Sequence, residues 1–124
     1  MAANEASAVG VLRTYNTAMV TYVNACPKMG YPHSLANLGP GAGDCERAGV
    51  VDGTLGTDHP SRSGYFFQYI PAEPDGHGQV SGFTVTADPI TKNSTGVRHF
   101  YTDQTGLIRW SLNGAANADS PALE

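Results

Sequence analysis

Between Asn4 and Cys26, the residues Ala8, Leu12, Tyr15, Met19, Tyr22 and Cys26 recur at three- and four-residue steps. That is the period of a helix with one face to bury. The opposite face carries Ala3, Ala6, Gly10, Arg13, Thr17, Thr21 and Asn24. Thr14, Thr17, Val20, Thr21 and Val23 are β-branched and oppose helix formation. Neither alternating set, Tyr15, Thr17, Met19, Thr21 or Asn16, Ala18, Val20, Tyr22, separates polar from apolar residues, so the helical period outweighs propensity. The pattern predicts a helix over 4–26, about 35 Å long, stopped by Pro27. Such a stripe needs a second layer to cover it.

The covering layer is read from the second half of the chain. Gly64 to Ile70 is rich in Tyr and Phe and reads as a strand ended by Pro71 and the turn-forming segment Pro74 to Gly78. Phe83, Val85 and Ala87 alternate with Thr84 and Thr86, the pattern of a half-buried strand closed by Asp88 and Pro89. Val97–Thr102 and Leu107–Leu112 flank Asp103-Gln-Thr-Gly106, which fits a type I turn followed by a left-handed glycine. That turn pairs Thr102 with Ile108, Phe100 with Trp110 and Arg98 with Leu112. Phe100, Ile108, Trp110 and Leu112 then share the buried face, and His99, Tyr101, Arg109 and Ser111 face water. Residues 27–63 read as irregular apart from one short helical turn, with Ser34 as N-cap, Leu35 and Leu38 inward and Gly39 at the C-terminal cap. The expected fold is α+β: one N-terminal helix packed on a C-terminal antiparallel sheet of about four strands. The chain reads as a single domain over 1–124, with helix 4–26, loop region 27–63, sheet 64–112 and tail 113–124. Leu123 and Glu124 read as a cloning scar and Met1 as an added start.

Seven basic against eleven acidic residues give a net charge of −4, the wrong sign for a phosphate-binding surface, so nucleic acid is not an expected partner. No stretch of the chain approaches the roughly 18 consecutive apolar residues of a membrane-spanning helix. Cys26 and Cys45 lie 19 positions apart with no C-x-x-C pair and no nearby His. A disulfide is the expected state, with two buried free thiols as the alternative. His33, His59, His77 and His99 are too widely spaced for a helical ligand pair. The sequence has no G-x-S-x-G elbow and no Gly-rich phosphate loop. Accordingly, no catalytic, cofactor-binding or metal-binding residue is assigned. Asp58, Asp88 and Asp103 could offer oxygens to Ca²⁺, but turn formation explains them better. Asn93-Ser94-Thr95 matches a glycosylation acceptor and reads more simply as an exposed polar loop.

The segment Asn4-Glu-Ala-Ser-Ala-Val-Gly-Val-Leu-Arg-Thr-Tyr-Asn-Thr-Ala18 resembles the outer half of the long first helix in type IV pilin-like proteins. Gly30-Tyr-Pro-His-Ser-Leu-Ala-Asn-Leu-Gly39 is similar to the Tyr-Pro-x-Ser-Leu-x-x-Leu stretch that follows that helix. Ser63-Gly-Tyr-Phe-Phe-Gln-Tyr69 and Arg98-His-Phe-Tyr-Thr-Asp-Gln-Thr-Gly-Leu-Ile-Arg109 resemble sheet strands of pilins and of type II secretion pseudopilins. The family's leader peptide and apolar half-helix have no counterpart here, and Glu5 does not match its acidic position. The resemblance implies a non-enzymatic structural subunit, a pilin or minor pilin, of a bacterial filament. Its partners would be other copies of itself or related pilins, with the membrane involved only through an apolar half-helix. It would act in an extracellular filament or at the periplasmic face of the inner membrane. Ala6, Gly10, Arg13, Thr17 and Thr21 would form the filament interface, because small residues admit a neighbouring backbone. The alternatives are a pseudopilin of a secretion system and, from another class, a surface module that binds carbohydrate or protein through Tyr65, Tyr69 or Tyr101.

Overall fold

The computed structural model describes residues 2–123. It is an α+β fold in which α1 (Ala2–Ala25) lies across one face of a five-stranded antiparallel sheet. The stripe predicted on α1 is buried: Ala8, Leu12, Tyr15, Met19 and Tyr22 are each at most 1% exposed. Val11, Ala18 and Glu5 join them. Cys26 continues the last turn by donating its N–H to Tyr22 O at 2.8 Å.

The sheet is a meander in sequence order, with strands β1 (Ser61–Arg62), β2 (Tyr65–Pro71), β3 (Phe83–Pro89), β4 (His99–Asp103) and β5 (Arg109–Ser111). β3 alternates strictly, with Phe83, Val85, Ala87 and Pro89 buried and Thr84, Thr86 and Asp88 half-buried on the other face. The β4–β5 register is the one its turn dictates: Phe100 faces Trp110 and Tyr101 faces Arg109. Gly106 sits at φ 78° and donates its N–H to Asp103 O. Phe67, Phe83, Val85, Phe100 and Ile108 meet the helix stripe in one core together with Leu35, Leu38 and Leu55.

Three expectations are corrected. The sheet has five strands, because β1 lies inside the segment read as loop 27–63. β1 is folded onto β2 by a two-residue turn, Ser63 at φ 55° and Gly64 at φ 76°, the left-handed pair a tight hairpin needs. Leu112, assigned to the buried face, is 46% exposed because β5 ends at Ser111. Tyr101, assigned to water, is 8% exposed, and its hydroxyl donates to Asp103 Oδ2 at 3.0 Å.

The loop region is held by ties to the rest of the fold. Leu35–Leu38 form a single 3₁₀ turn, and Asn37 Oδ1 accepts the Ser34 N–H. Gly39 closes that turn at φ −75°, so the left-handed reason for glycine does not apply. Glycine is required there by proximity: a Cβ on Gly39 would stand 2.5 Å from Gly56 O, and one on Gly56 2.3 Å from Gly39 Cα. Cys26 and Cys45 are disulfide-bonded, with Cα atoms 6.0 Å apart. Tyr15, Tyr22 and Tyr69 bury their rings and donate their hydroxyls to the loop carbonyls of Leu55, Cys45 and Pro32 at 2.9, 2.5 and 2.6 Å. Burial raises each of these phenols above the usual tyrosine value.

Candidate functional site

The five interface residues of the sequence reading, Ala6, Gly10, Arg13, Thr17 and Thr21, are all exposed on the outer side of α1. At 100° per residue they fall within an arc of roughly 80° and run along about 22 Å of the axis. Ala2, Ala3, Thr14, Val20 and Asn24 complete that exposed side. Val20 is 56% exposed, and Arg13 is the one charged residue of the surface. A Cβ at Gly10 would meet no atom within 4 Å. Thr14 Oγ1 donates to Gly10 O at 3.0 Å and Thr21 Oγ1 to Thr17 O at 3.1 Å. Each of these two hydroxyls thus spends its donor on the preceding turn of its own helix. Arg13, Thr14, Thr17, Ala18 and Thr21 line a shallow groove with Val50 of the loop region as its far wall.

Another concavity, which the sequence reading missed, lies away from the outer side of α1. A pocket of about 270 Å³ lies along the free side of β2, lined by His33, Ser34, Leu35, Asp58, His59, Phe67, Gln68, Tyr69 and Ile70. The ladder explains why it is open. Ile90 N–H bonds Gly64 O and Ala72 N–H bonds Gly82 O, which sets the alternation so that Phe66, Gln68 and Ile70 face β3. Phe67 and Tyr69 turn their backbone groups the other way. Phe67 N–H is taken by Pro60 O at 3.0 Å. Pro60 has no N–H to return, and β1 ends there. His59, just before that proline, is held at φ 56°, a conformation rare outside glycine but several-fold enriched in His. The sequence did hold a signal for β1, since Ser63-Gly64 is a turn dipeptide.

The remaining candidates separate. Asp88 pairs with His99, Oδ1 to Nδ1 at 2.6 Å, and Lys92 Nζ lies 3.3 Å from His99 Nε2 while also donating to Leu112 O. Asp103 caps the β4–β5 turn by accepting from Thr105 N–H and Oγ1. Burial alone would raise its carboxyl; bonds from Thr105 and Tyr101 and the charge of Arg109 bring it below the usual range. Asp58 stands apart in the β2 pocket. No three His, Cys, Asp or Glu side chains among the described residues are placed to hold a metal. Asn93 is exposed in the 91–96 loop at φ 65°.

Glu5 proves to be a buried anchor. Its Oε1 receives Arg98 Nε at 2.8 Å and its Oε2 the Val97 N–H at 3.0 Å. Burial pushes the carboxyl upward, but the Arg98 and Val97 hydrogen bonds outweigh it and hold the group below the usual glutamate range. The signal was in the sequence, because Glu5 continues the buried stripe three residues before Ala8.

No family model, curated protein or solved structure matches this chain.

The three tyrosines of the adhesive alternative do not form a patch. Tyr65 is 0% exposed and donates to Arg98 O, Tyr69 donates to Pro32 O, and Tyr101 is turned to Asp103. Their hydroxyls are committed inside the fold. Among the described residues no helix is long and apolar enough to cross a membrane.

Proposed function

We propose that this chain is the head of a structural subunit in a bacterial type IV pilus-like filament, with the outer side of α1 as its packing face toward other copies. One observation carries the reading: a helix of 24 residues presents to solvent a surface with one charge, Arg13, and with Thr14 and Thr21 bonded to their own helix. A helix facing only water usually carries charged residues along that face. Close helix pairing favours the opposite composition, with small side chains that let backbones approach. In this reading the head acts without chemistry, in an extracellular filament or at the periplasmic face of the inner membrane. It meets the membrane only through an apolar continuation of α1 upstream of Ala2. A pseudopilin of a type II secretion system uses the same face in a different machine.

The test is to place Glu at Gly10 and at Thr17 in the complete gene product. Both sites are exposed, so heads should fold with unchanged circular dichroism and melt no lower than the native head while the yield of sheared filaments collapses. Normal filaments carrying both substitutions, or turnover of a substrate by the purified head, would defeat the proposal.

A further inference from the structure

The sheet has two edges, and they are finished differently. At β5 the tail turns back: Pro121 O accepts Trp110 N–H, Leu123 donates to Ile108 O, and Ala122 bridges to Arg109. That edge is paired. At β2 the two-residue β1 covers only Tyr65 and Phe66 directly, and Pro60 ends the pairing at Phe67. The carbonyl of Phe67 and both backbone groups of Tyr69 then face the pocket with no partner among the described residues. An unpaired stretch of strand edge is a template for another extended backbone.

We propose that this edge accepts a short extended peptide from another protein as an added antiparallel strand, with an apolar residue opposite Tyr69 and a basic residue beside Asp58. In antiparallel pairing, the residue opposite Tyr69 exchanges both backbone bonds with it and points its side chain to the same face. That face of the pocket is floored by Leu35, Phe67 and Tyr69, which fits one medium-sized apolar side chain. The open stretch from Gln68 to Pro71 is about 13 Å long at strand rise, so about four residues fill it.

Two features choose the occupant. The edge shares its pocket with His33–Leu35 and Asp58–His59, and a space so lined takes a single extended segment more readily than the sheet of a second folded copy. The lining contains one acidic side chain, Asp58, and neither Lys nor Arg. Asp58 has no ion-pair partner among the described residues, so its carboxylate is available to a cationic side chain two positions from the central residue.

The probe is the pentapeptide Lys-Thr-Val-Thr-Lys, acetylated and amidated, titrated into ¹⁵N-labelled protein. Saturable shifts are expected at Phe67–Ile70, His33–Leu35 and Asp58–His59, leaving the outer side of α1 unmoved. At nine-tenths saturation, exchange of the Tyr69 amide should slow by about tenfold. Methylating the Val nitrogen should abolish binding, whereas methylating the following Thr nitrogen, which points away from β2, should not. Replacing both Lys by Glu should weaken binding at least several-fold, and Asp58→Lys, at an exposed site, should reverse that preference. No shift at millimolar peptide overturns the proposal. So do equal losses from both methylations, or the same shifts produced by raising protein concentration alone, which would make the occupant a second copy. None of these readouts depends on filament assembly.

Discussion

The loop region and the meander are ordered by different means. From Phe83 to Ser111 each strand lies beside its sequence neighbour, and alternation with period two decides which side chains go inward, so a slip of one residue would expose the whole set. Residues 27–60 contain one 3₁₀ turn and no strand. They stay in place through the buried Leu35, Leu38, Val51 and Leu55, a backbone bridge to Val80, a disulfide, three tyrosine hydroxyls and one glycine–glycine approach. The sheet carries a distributed pattern that tolerates the loss of any one pair. The loop is held by separate ties at single points, with no repeating ladder between them.

The strongest way to break that comparison is to cut the covalent tie. Cys26→Ser with Cys45→Ser should cost about 3 kcal/mol, the loop entropy restored to the unfolded chain. The comparison adds a spatial expectation: amide protection in 27–60 should fall first, while β3 and β4 keep theirs. Chemical denaturation with hydrogen exchange reads both. A uniform loss across loop and sheet would mean that the two regions are one cooperative unit.

Gly56→Ala tests a contact with no chemistry in it. Its Cβ would stand 2.3 Å from Gly39 Cα, and both partners are backbone, so neither can rotate away. The expected cost is about 2 kcal/mol, typical of overpacking. Gly53→Ala is the control, because its nearest atom is Pro40 Cγ at 3.9 Å, and thermal melts of the pair should differ accordingly.

Legibility follows the same division. The α1 stripe, the β3 alternation and the β4–β5 register were readable because period and turn chemistry are local. Gly39 stands at the cap the sequence suggests, but the contact that requires glycine there is with Gly56, 17 positions away; no pattern along the chain carries that distance. The tyrosine-to-carbonyl bonds and the tail pairing on β5 are equally non-local. At the functional surfaces, the exposed side of α1 could be found from its period. The β2 pocket could not, because it exists only where Pro60 stops β1 short of Phe67.

The Glu5–Arg98 pair ties α1 to the segment entering β4, so it sharpens the comparison with a charge. Glu5→Gln should cost about 1.5 kcal/mol, the scale of a hydrogen bond to a charged group. Because the folded-state carboxyl lies below its unfolded value of 4.5, the pair contributes fully above that pH. Its contribution is lost as pH falls through the lower folded value. Stability measured between pH 7 and 3 should therefore fall more steeply for the native chain than for Glu5→Gln. At the alkaline end, burial of Tyr65, reinforced by the Glu5 charge and opposed by Arg98, raises its phenol to about 12. Stability should decline as pH rises from 10 toward 12.

The smallest expected effect bears most directly on function. Gly10 lies within α1, where glycine costs roughly 0.8 kcal/mol relative to alanine through backbone entropy. A Cβ there meets nothing within 4 Å in the isolated head. If the residue served only the fold, Gly10→Ala should be an unopposed gain: the head should melt a few degrees higher and all else should be unchanged. If the outer side of α1 is a packing face, that same methyl intrudes where a neighbouring backbone must approach. Assembly should then weaken even as the head becomes more stable. Thr17→Ser removes a methyl from the same arc without adding bulk or charge and should leave assembly intact. Melting of the purified heads against filament yield from the complete gene products separates the outcomes. A gain in stability accompanied by a loss of filaments cannot come from damage to the fold, which is what makes this small substitution a cleaner probe of the interface than a charge at the same position.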